Sequence, residues 1–127
     1  MKRRCRFGRE LAQKNPKVYL PDVAQTLNSL GILDRDQNRV EEARKEYEGA
    51  LKFYRELAQK NPDVYLPDVA MMLNNLGILD RDQNRMAEAR KEYEEALKIY
   101  EAFAKQDPEQ FRADVKRLKK LLKELPK

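Results

Sequence analysis

Of the side chains that usually carry catalysis, only carboxylates are plentiful in this sequence. The chain has no histidine, Cys5 is its one cysteine, and Thr26 and Ser29 are its only hydroxyls apart from the tyrosines. Nucleophilic triads, Cys/His dyads and the common zinc sites all draw on residue types missing here. Counting alone leaves room for an acid/base pair or an oxygen-ligand metal site. The Asp and Glu residues, however, recur along helix faces instead of converging, so we expect no catalytic residue, no metal site and no cofactor. Cys5 sits between Arg4 and Arg6, cations that lower a thiol pKa and would favour redox chemistry. It also aligns with Leu51 and Leu97 in the repeat described next, and we read it as a buried apolar contact.

The elements that must position any surface are set by a repeat. Arg9 to Tyr54 and Arg55 to Tyr100 superpose at a spacing of 46 and differ at only eight positions, among them Gln25/Met71, Thr26/Met72 and Ser29/Asn75. A fixed period of this size marks a solenoid, in which each copy buries its apolar face against the next. Function is then expected in a surface. Cys5 to Ala12 aligns with Leu51 to Ala58 and with Leu97 to Ala104, so the chain is expected to open partway through a second helix, with residues 1–14 a partial helix of an incomplete repeat.

Charge sharpens this picture. The 127-residue chain is 39% charged with a formal net charge of +5, which suits exposed helices on a thin core. Residues 1–6 and 112–127 hold 11 Lys/Arg against 2 acids, whereas residues 7–111 hold 16 against 20. The repeats are therefore mildly acidic and the ends basic. A nucleic-acid binder using the repeat surface would carry its basic stripe there, which leaves the basic ends as the only candidates; such helix ends more often solubilise or match the helix dipole, so nucleic acid is the disfavoured partner. No apolar run is long enough to span a membrane, a lone cysteine gives no disulfide framework, and cytoplasmic is the expected compartment.

Asn15-Pro16 and Asn61-Pro62 signal helix starts, because Asn caps and Pro suits the first helical position. Pro21 and Pro67 repeat the signal, so either the helix restarts there or a short turn precedes it, and an irregularity is expected at that point. Val23, Ala24, Leu27, Leu30, Gly31 and Leu33 then recur at helical spacing, and Asp34 to Asn38 ends the helix. A second helix carries Ala43, Tyr47, Ala50, Leu51, Tyr54, Leu57 and Ala58 to about Lys60, and both patterns return 46 residues on. In the tail, Val115, Leu118, Leu122 and Leu125 keep one apolar face while Lys116, Arg117, Lys119, Lys120 and Lys123 charge the other, as a capping helix requires.

Leu30-Gly31, Ala43, Tyr47 and Ala50, with Leu76-Gly77, Ala89, Tyr93 and Ala96, resemble the tetratricopeptide repeat. The stretch Pro67 to Gly77 with Arg81-Asp82-Gln83-Asn84-Arg85 most resembles the longer-repeat subclass of kinesin light chains. The resemblance implies an all-α, right-handed superhelix of about six antiparallel helices in one domain, 1–127. Its parts are the partial helix 1–14, repeat helices over 15–60 and 61–107, and a capping helix over 108–127. Departures from the pattern are instructive. Asp34 and Asp80 stand where an aromatic is usual and are expected to face water or pair with Arg, while Asn38 and Asn84 replace a turn Gly and tolerate positive φ.

The resemblance also implies that first helices line a concave groove receiving a peptide or partner protein. By the helical period that face carries Gln25, Asn28, Ile32, Arg35 and Asp36 in one copy and Met71, Asn74, Ile78, Arg81 and Asp82 in the other, with Asn75 beside them. The Asn amides both donate and accept, which suits a peptide backbone; Ile32 and Ile78 form an apolar floor, and Arg35 and Arg81 hold a carboxylate unless the adjacent aspartates occupy them. A solvated face with local Asp–Arg pairs is the plain alternative. Tyr19 and Tyr65 either pack between repeats or edge the groove, and one of Met71 and Met72 is expected in the core. The functional expectation is non-catalytic binding of a protein or peptide. Its competitor is a structural fragment of a longer array, or a scaffold self-associating through the open N-terminal helix.

Overall fold

The computed structural model describes residues 16–126, and all its regular structure among them is helical. Five helices follow in order: α1 (Pro16–Asp36), α2 (Val40–Lys60), α3 (Pro62–Asp82), α4 (Met86–Gln106) and α5 (Pro108–Glu124). The partial opening helix expected over 1–14, with Cys5, and the Asn15 cap lie outside the described residues. The chain divides into two compact units, one ending at Tyr65 and the other beginning at Leu66, so the first turn of α3 belongs to the first unit.

In the first unit α1 and α2 form an antiparallel hairpin joined by three residues. Asn38 takes φ 63°, the left-handed conformation its side chain tolerates, and this lets the Arg39 amide donate to Asp34 O at 2.7 Å. The hairpin closes on small residues. A Cβ on Gly31 would stand 2.6 Å from Tyr47 Cδ1, so only glycine admits that ring, and Ala43 and Ala50 are fully buried on either side of it along α2. Leu20, Val23, Ala24, Leu27, Tyr54 and Ala58 complete the core. Leu33, expected on the apolar face, is instead 41% exposed, whereas its counterpart Leu79 is 2% exposed.

The irregularity expected at the second prolines is absent: α1 runs unbroken through Pro21 and α3 through Pro67. Each proline is the sixth residue of its helix. Its missing amide therefore frees a single carbonyl, four residues earlier, in a turn whose own first amides have no helical partner in any case. At the α3 start, Asn61 O accepts from Val64 N and Tyr65 N at 3.2 and 3.1 Å.

The second unit repeats the hairpin with α3 and α4. Tyr93 covers Gly77 as Tyr47 covers Gly31, and Asn84 again has φ 63°. Helix α5 then packs on α4. Asp107 Oδ1 accepts from Gln110 N at 3.2 Å, with Pro108 at the first helical position, which fixes where α5 begins. Phe111 inserts beside Tyr100 and Phe103, with ring centroids 6.2 and 5.4 Å apart, and Leu118 and Leu125 are buried below it. Arg90 Nη2 donates to Pro126 O at 3.2 Å, tying the end of α5 back to α4.

Candidate protein-binding faces

Residues at spacings of three and four on α1 place Gln25, Asn28, Ile32 and Arg35 on one side of that helix, and the same spacing places Met71, Asn74, Ile78 and Arg81 together on α3. On α1 Gln25 is exposed, Asn28 is half-buried and engaged by a neighbour, and Ile32 is 38% exposed. On α3 the same face is less open. Met71, Asn75 and Ile78 are half-buried, and Asn74 is buried. Asn74 Oδ1 accepts no hydrogen bond among the described residues. Met72, next to Met71, is fully buried, in line with one of the pair filling core.

The arginines are partly occupied. Arg35 Nη2 lies 3.4 Å from Asp36 Oδ1, and Arg81 donates to Asp82 Oδ1 from Nε and Nη2 at 3.1 and 3.0 Å. Such exposed neighbouring pairs contribute little, roughly 0–1 kcal/mol, so an incoming carboxylate competes with them at small cost.

Asp34 and Asp80 do not face water. They are 3% and 1% exposed, and Arg85 Nη1 stands 3.9 Å from Asp80 Oδ1, a long ion pair. The helical register explains this: Asp34 follows Leu27 and Gly31 down the side of α1 that α2 covers. Across the hairpin stands Glu46, a residue the sequence reading did not single out. Asp34 Oδ1 and Glu46 Oε1 are both shut off from solvent, with no hydrogen-bond donor to either among the described residues. Two carboxylate oxygens bond to each other only if one carries a proton. Desolvation first, then the Asp34 carboxyl and the charge of Glu42, push Glu46 up to about 8. A sequence signal existed in the placement of Asp34 on the core side, but Glu46 enters only through the pairing of helices.

Burial also raises Tyr93 and Tyr100 to about 12, Asp114 being the largest charge acting the same way on Tyr100. Tyr47 is raised by the same cause. These phenols are packing groups: the Tyr47 and Tyr93 hydroxyls are buried without a hydrogen bond among the described residues. Among the described residues no three His, Cys, Asp or Glu side chains are grouped to hold a metal ion, and no helix is long and apolar enough to cross a membrane.

The family model of the tetratricopeptide repeat matches residues 22–102. No curated protein sequence matches the chain. Domains of that family are non-catalytic scaffolds that act in general as protein–protein interaction modules. With more than half of the sequence inside the match, and with two helical hairpins each closed by a tyrosine over a glycine, the chain belongs to the tetratricopeptide repeat family.

Proposed function

We propose that the chain binds a peptide or a partner protein through the first-helix faces of its hairpins, Gln25, Asn28, Ile32 and Arg35 on α1 and Met71, Asn74, Asn75, Ile78 and Arg81 on α3. The observation that carries this reading is Ile32, a large apolar side chain left 38% exposed among polar groups able to orient a ligand. Asn28 supplies an amide for a peptide backbone, and Arg35 supplies a cation whose present partner is weakly held. The 46-residue period and hairpin helices of 21 residues support the longer-repeat subclass that kinesin light chain repeats exemplify. Helix α5, apolar toward α4 and charged outside, suits the role of a cap.

Selection from a displayed library of random peptides tests the reading. A selected peptide should bind the chain in solution, and Asn28→Ala with Ile32→Asp should weaken it at least about tenfold, or 1.4 kcal/mol, while helical circular dichroism and melting stay unchanged. Equal affinity for that variant dismisses the α1 face. A library yielding no binder dismisses peptide recognition.

A further inference from the structure

The outer side of α5 carries Arg112, Lys116, Lys119, Lys120 and Lys123 at helical spacing, all exposed. None of the five has an ion pair or hydrogen bond among the described residues; the nearby Arg117 does, 2.7 Å from Asp114 Oδ1. Elsewhere the exposed stripes alternate in sign: Glu41, Lys45, Glu48 and Lys52 share one side of α2. Such alternation is the mark of a solvated face. The α5 stripe lacks it for three turns, and no acid lies between its members on that side.

We propose that this stripe docks a short acidic peptide segment of a partner protein, on α5 and not through the α1 and α3 residues named above. Its length, about 16 Å from Arg112 to Lys123, and its steps of roughly 4.5–6 Å compare with the ~6.7 Å between alternate side chains of an extended peptide. A run of alternating acids can therefore set one carboxylate against each turn. The chemistry of the stripe argues against other polyanions. Its aromatic neighbour Phe111 is buried, so no ring is offered for stacking bases. Leu118 and Leu125 are buried and Val115 and Leu122 half-buried, which leaves little apolar edge to enter a lipid surface. Residues 66–107 of the same unit hold 6 Lys/Arg against 9 Asp/Glu, so a long nucleic acid overrunning the stripe meets net negative charge. The chain's own α2 stripe is mixed in sign, which disfavours a second copy as occupant.

The test is fluorescence anisotropy with a labelled peptide of alternating Glu and Gly, about twelve residues long, beside its Gln/Gly counterpart, a single-stranded oligonucleotide of equal charge and phosphatidylserine vesicles. The Glu/Gly peptide should saturate at low salt, weaken steeply as salt rises, and bind at least tenfold less well to the Lys116→Gln, Lys119→Gln, Lys123→Gln variant with its helical signal intact. The Gln/Gly peptide should not bind. Absence of saturation, or affinity indifferent to the three substitutions, overturns the proposal. Tighter binding of the oligonucleotide or of the vesicles than of the peptide overturns it equally, assigning the stripe to nucleic acid or to membrane. The three substitutions lie on α5 and leave Gln25, Asn28, Ile32 and Arg35 unchanged, so loss of binding in that variant is assigned to the stripe and not to the α1 face.

Discussion

The Cβ that Gly31 lacks would stand 2.5 Å from Cε1 of Tyr47, and the tyrosine ring is itself fully buried. The ring has nowhere to retreat. In an exposed helix interior, replacing Gly by Ala gains about 1 kcal/mol. Here overpacking costs about 1–3 kcal/mol, so Gly31→Ala should be net destabilising by about 1 kcal/mol, lowering the urea midpoint without changing the slope. Gly49→Ala is the matched comparison, because Glu95 already fills that position in the second copy. It should raise the midpoint. Equal shifts of the same sign from the two substitutions would show that Tyr47 does not set the hairpin spacing.

Asn38 and Asn84 make the second prediction. Both hold φ 63° in the turns between hairpin helices. A residue with an ordinary Cβ pays about 1–2 kcal/mol in that conformation, whereas glycine pays nothing sterically. Asn38→Ala should lower the thermal midpoint and Asn38→Gly should leave it unchanged or raise it. Differential scanning calorimetry on both variants checks the order, and an alanine as stable as the glycine would remove the turn's demand for positive φ.

Much of this was legible in residue types and their period. The helix-ending turns and the apolar side of α5 follow from spacing, while the resemblance to the tetratricopeptide repeat singled out Gly31 and Tyr47, though not their contact, and Asn38 and Asn84 as turn residues that tolerate positive φ. Prolines at 21 and 67 misled, because a ring near a helix start removes only one bond and need not interrupt the helix. The period also gives identical residues identical faces. It cannot say that Asn28 is half-buried while Asn74 is buried, or that Leu33 is exposed while Leu79 is not, since what covers a face is not written along the helix that presents it. The meeting of Asp34 with Glu46 escaped for the same reason.

That meeting makes stability depend on pH. Glu46 ionises near 4.5 in the unfolded chain and near 8 in the folded one, so between these values the folded state holds a proton that the unfolded state has released. Its contribution to stability is complete below about 4.5 and is lost as pH rises through about 8. Past that point two carboxylates face each other across the α1–α2 hairpin, with Glu42 adding its charge. Glu46→Gln keeps the shape and removes the titration. It should match the parent chain near pH 5 and exceed it near pH 9 by about 1 kcal/mol, a figure kept low because Glu46 is only partly buried. Urea unfolding across that range decides it, with the exposed Glu48→Gln as control. Parallel curves for parent and Glu46→Gln would mean that the folded chain does not hold Glu46 protonated above the usual carboxylate range.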